Sequence, residues 1–121
     1  MNTFVNIFEF TKFRKFLAEY QERRQAAEPS FSRTEFCNLL GLPNTRSYFN
    51  DVVQGKRVTD NMRERFINVI GLKGNEARYF EAMVDFDQGK TAQVREAAFD
   101  AMMRLNKNPQ AIVDPDSYEF F

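Results

Sequence analysis

Apolar residues in this chain recur at helical spacing between residues that start and stop helices, and nowhere alternate one by one for more than a few positions. That pattern predicts an all-α protein. Asn6 and Glu9 have capping-box spacing, and Phe13, Phe16, Leu17 and Tyr20 then make one face of a first helix that ends at Ala26-Ala27-Glu28-Pro29. Ser32-Arg33-Thr34-Glu35 is a second capping box, opening a short helix with Phe36, Leu39 and Leu40 inward and Gly41 behind it. A third helix is expected from about Thr45 to Val53, with Asn44 as its cap and Gly55 as its stop. Thr59 caps a fourth helix carrying Met62, Phe66, Val69 and Ile70 up to Gly71. Asn75 opens a fifth with Phe80, Met83 and Val84 inward. Thr91 opens a sixth with Val94, Ala98, Ala101, Met102 and Leu105.

The expected architecture is a single compact bundle of about six helices over 1–109, with a helix-turn-helix at 32–54. The aromatic tail Tyr118-Glu119-Phe120-Phe121 makes 110–121 read as the start of a further, truncated domain. With 121 residues, 43% hydrophobic and 14 Phe, the chain can fill one core, and disorder is excluded as its main state. It has no His and one Cys, so zinc sites of the His/Cys type, Ser-His-Asp and Cys-His machinery all lack their parts. Cys37 therefore reads as a buried hydrophobe, and no enzyme activity, cofactor, metal or small-molecule substrate is foreshadowed. The pairs Asp85/Asp87 and Asp114/Asp116 do not make a cation site, since residues two apart on a helix do not share a face and the second pair flanks a proline. No apolar run is long enough to cross a bilayer and Met1 to Phe10 has no cationic start, so a cytoplasmic setting is expected.

Charge is balanced, 17 basic against 17 acidic, but Met1 to Arg57 holds 9 basic and 6 acidic residues, so a polyanion should prefer the first half. Burying Phe36, Leu40, Leu42, Phe49 and Val52 between two crossed helices turns Arg46, Ser47 and Asn50 outward, with Thr45 at the head of the same helix. These four are the candidate base contacts. Arg can donate a bidentate pair to guanine, and Asn can both donate to and accept from adenine. Ser32, Arg33 and Thr34 at the amino end of the second helix, with Lys56 and Arg57 beyond the third, are candidate phosphate contacts. Tyr48 can give its hydroxyl to phosphate or line the core. Asp51 weighs against DNA. The alternative is a protein–protein interaction module of the same fold.

The segment Ser32 to Leu72 resembles the λ-repressor/Cro-type helix-turn-helix family, with Gly41 in the turn and about two extra residues around Pro43-Asn44. Almost the whole chain also resembles an uncharacterised bacterial paralogous family first defined in Fibrobacter. The stretches that carry this second likeness are Asn6 to Phe10, Gly41 to Phe49, Asp51 to Lys56 and Tyr118 to Phe121. It implies the amino-terminal part of a transcription regulator, followed in longer members by a domain of unknown function. Separately, one neutral module would bury too little surface on double-stranded DNA for tight binding, so a homodimer on two half-sites is expected in the full-length protein.

Overall fold

In a computed structural model, residues 4–106 are described; the tail read as a further domain lies outside them. They form six α-helices and no strand: α1 Phe13–Ala27, α2 Arg33–Leu39, α3 Tyr48–Val53, α4 Asp60–Ile70, α5 Asn75–Gln88 and α6 Ala92–Leu105. The chain falls into two compact units. One takes the described residues before Asn6 together with Arg14–Leu72, and the other takes Asn6–Phe13 and everything described from Lys73 on.

The first unit is built on aromatic rings. Phe16, Tyr20, Phe31, Phe36, Phe49 and Phe66 are buried together with Leu17, Leu40, Val52 and Ile70. Its helix ends follow local chemistry: Ser32 Oγ accepts from the Glu35 amide at 3.1 Å, and Thr59 Oγ1 accepts from the Met62 amide at 3.2 Å. Gly41 and Gly71 stop α2 and α4 with φ of 85° and 83°, values a side chain would resist.

The third helix departs from expectation, starting at Tyr48 instead of Thr45. Two successive turns precede it, closed by the Thr45 amide on the Leu42 carbonyl and the Tyr48 amide on the Thr45 carbonyl, both 3.2 Å. Ser47, not Asn44, stands at the cap position, and its side chain accepts no capping bond from the helix amides. Six residues cannot hold a helix by propensity, so α3 begins only where burial of Tyr48, Phe49 and Val52 supports it. Leu42, expected inside, is only partly covered.

In the second unit α5 and α6 form a helical hairpin turning at Gly89, where a Cβ would meet the Asp85 carbonyl at 2.6 Å. Thr91 Oγ1 caps α6 through the Val94 amide at 3.1 Å. Ile7, Phe13, Tyr79, Phe80, Met83, Val84, Ala98 and Met102 are buried, whereas Val94, expected inward, is 44% exposed. The Asn6–Glu9 pair does not open the first helix either. Asn6 Oδ1 accepts from the Phe8 amide at 3.1 Å and heads a single 3-10 turn, Ile7–Glu9, after which Phe10 is extended. The reason is long-range: Tyr79 donates its hydroxyl to the Phe10 carbonyl at 2.5 Å, and Asn106 Nδ2 donates to the Phe8 carbonyl at 2.8 Å, so this segment's carbonyls are held outside any α-helix.

Burial raises the pKa of Tyr20, Tyr48 and Tyr79, in each case chiefly by desolvation of the phenolate. A phenol that ionises later folded than unfolded keeps its proton in the native state, so its stabilising effect is full below the unfolded pKa of about 10 and is lost as pH rises above it. Phenolate absorbance followed against pH should therefore show late ionisation of three tyrosines coupled to alkaline unfolding. Ionisation of all four at the free-tyrosine value in the folded protein would contradict it.

Candidate nucleic-acid interface

Thr45, Arg46 and Ser47 are exposed in the turns that lead into α3, and Asn50 is exposed on α3 itself. The base-contact candidates therefore stand on a turn-plus-helix segment instead of one continuous helix. Between and behind them Tyr48, Phe49 and Val52 are buried, so the exposed groups ride on a fixed backbone. The Cys37 thiol, 1% exposed, lies 3.7 Å from the Arg46 carbonyl beneath the turn. Ser47 Oγ donates to the Asp51 carboxylate at 3.4 Å, which turns this carboxylate toward the helix's own first residues.

Arg33 does not simply extend into solvent from the end of α2. Its Nη1 donates to Asn50 Oδ1 at 2.6 Å, its Nε points to Gln21 Oε1 at 3.4 Å, and its guanidinium lies 5.1 Å from the Phe49 ring centre. Since a guanidinium only donates, the atom of Asn50 facing it must be the oxygen. Thr34 is exposed. Ser32 spends its hydroxyl on the cap, and Glu35 already sits in the first turn of a seven-residue helix, which weakens the attraction for an anion expected there. Lys56 and Arg57 are exposed just past α3.

Tyr48 is a correction. Its hydroxyl is buried and has no hydrogen-bond partner among the described residues, and its ring stacks on Phe66 at 6.3 Å, so the residue lines the core and cannot reach a phosphate. Helix spacing alone leaves both orientations open, and the burial of Tyr48 against Phe66 decides for the core.

Two side chains on α1 organise this surface and were not singled out from the sequence. Arg14 Nη1 donates to the carbonyls of Val52 and Lys56, at 2.5 and 2.8 Å, tying the end of α3 to the chain beyond Gly55. Gln21, 2% exposed, donates Nε2 to the Phe31 carbonyl at 3.0 Å and to Gln25 Oε1 at 2.8 Å. A signal was present: Arg14, Leu17 and Gln21 follow at i, i+3 and i+7, which puts two polar groups on a buried face. On the other flank Arg65 Nη1 donates to the Leu40 carbonyl at 2.9 Å and fixes the end of α2.

Among the described residues no group of three His, Cys, Asp or Glu side chains is arranged to hold a metal ion, and no helix is long and apolar enough to cross a membrane. Compared with protein-family models, with curated proteins and with solved structures, the chain finds no match.

Proposed function

We propose that the first unit binds double-stranded DNA in a sequence-dependent way, as the DNA-binding part of a bacterial transcription regulator. The observation that carries this reading is the exposure of Thr45, Arg46, Ser47 and Asn50 on a segment whose intervening residues are buried. Such a segment offers hydrogen-bonding groups to base edges without having to order itself first. Thr34, Lys56 and Arg57 supply phosphate contacts to either side, and the likeness to the helix-turn-helix and Fibrobacter-type families agrees with this assignment. A helix of six residues is about 9 Å long, so one copy reads only a few base pairs, and useful affinity calls for a homodimer on two half-sites about 34 Å apart. Sedimentation equilibrium of the protein tests the dimer.

Selection from random duplexes at low salt should enrich one motif. On that motif Arg46→Ala is expected to cost about 1 to 3 kcal/mol and to relax preference at one position, while Lys56→Ala weakens all duplexes alike. Titrations of the two variants against matched and substituted duplexes separate these effects. Leu39, expected inward, is instead 48% exposed at the end of α2, where it would be an apolar contact of the alternative, a protein–protein interaction module of the same fold. A selection that enriches nothing favours that interaction module.

A further inference from the structure

The charge of Arg33 is tied back into the protein at three points, and the tie begins on α1. Gln21 on α1 is polar yet buried, and with its amide nitrogen given to the Phe31 carbonyl and Gln25, its oxygen faces Arg33 Nε at 3.4 Å. The Phe49 ring supports the guanidinium from α3, and Nη1 ends on Asn50 Oδ1 at 2.6 Å. A contact this short, from a side chain held at two other points, fixes both the rotamer of Asn50 and which end of its carboxamide is oxygen.

We infer that Gln21 and Arg33 are positioning residues that orient Asn50 toward an adenine, and that the ligand is a duplex carrying an A·T pair opposite Asn50. The inference rests on the DNA-binding reading of the same surface. Adenine presents a donor at N6 beside an acceptor at N7, and only a group offering an acceptor beside a donor meets both. Asn50 keeps a second lone pair on Oδ1, and its Nδ2 has no hydrogen-bond partner among the described residues. Guanine shows two acceptors on the same edge, so a carboxamide held in this orientation meets one of them with oxygen.

The test uses the motif found by selection and the same duplex with the A·T pair replaced, titrated over a range of salt with the wild type, Arg33→Ala, Asn50→Ala and the double variant. Arg33→Ala should remove a roughly ten-fold preference for the adenine duplex and leave the salt slope unchanged, and the double variant should discriminate no worse than Asn50→Ala. Asn50→Asp, which keeps an acceptor for Arg33 but loses the donor, should move the preference toward cytosine. Gln21→Met should give part of the Arg33→Ala loss, and an unchanged preference removes Gln21 from the relay. If Arg33→Ala instead lowers the salt slope by about one and weakens both duplexes alike, Arg33 is a direct phosphate contact and the inference is overturned. If no duplex binds, the DNA-binding reading itself falls. The orienting role is then decided in the free protein by NMR, where Arg33→Ala must shift the Asn50 side-chain amide resonances; unshifted resonances overturn it.

Discussion

Replacing Phe36 by alanine is expected to destabilise the first unit by about 3 to 5 kcal/mol, read as a lower urea midpoint with an unchanged slope. Phe36 is fully buried, and its ring lies 4.9 Å from those of Phe31 and Phe49, 5.7 Å from Phe66 and 6.1 Å from Tyr20. These partners come from α1, α3, α4 and the segment ahead of α2, so no one neighbour can close the hole without giving up contacts elsewhere. The loss is a large part of the total stability of a small domain. Because Phe49 would lose its stacking partner, α3 should loosen as well, and DNA binding should fall further than the folded fraction alone accounts for. Phe36→Leu, which fills part of the volume, should cost less than half as much. A loss below about 1 kcal/mol for the alanine variant would mean that this ring cluster repacks and is not what joins α2 to α3.

Arg14→Met is expected to cost about 3 kcal/mol, since hydrogen bonds from a charged donor contribute roughly 1.5 to 3 kcal/mol each and two carbonyls lose theirs. The Val52 and Lys56 carbonyls belong to the last turn of α3 and to the chain after Gly55, whose φ is 126°. The methionine retains much of the arginine stem's packing, so the difference reports on the lost donor. Amide hydrogen exchange should speed up first at the Gln54, Gly55 and Lys56 amides, which close that end of the helix on Asn50, Val52 and Asp51. Uniform acceleration across the first unit would instead assign Arg14 a general role in stability.

The helix count and most helix ends were legible in the sequence because their causes are local. Ser32, Thr59 and Thr91 each cap through an amide three residues on, and Gly41 and Gly71 supply the left-handed turn that ends a helix. What the sequence misplaced depends on residues far along the chain. The segment after Asn6 stays out of an α-helix because Tyr79 and Asn106 take its carbonyls, and no spacing within residues 6–13 encodes that. The start of α3 at Tyr48 is not encoded by the propensities of Thr45 and Arg46, and the decision belongs to the burial of Tyr48 and Phe49. For the candidate site, the outward set Arg46, Ser47 and Asn50 followed from which residues had to be inside, and it is exposed as expected. The Arg33–Asn50 contact spans 17 positions and two elements, and nothing in either local pattern announces it.

The second unit is discontinuous: Asn6–Phe13 packs with the α5–α6 hairpin, while Arg14–Leu72 belongs to the first unit. Phe8 meets Tyr79 with ring centres 5.1 Å apart and Phe13 meets Phe80 at 6.2 Å, so among the described residues that hairpin completes its core with side chains from the amino-terminal end of the chain. The intervening stretch is a long loop whose closure costs entropy while it is unfolded. Once the first unit has folded, its ends are no longer free to wander and that cost largely disappears. Assembly thus has a built-in direction, in which the earlier structure lends its order to the later one, and the isolated hairpin should be a poor folder.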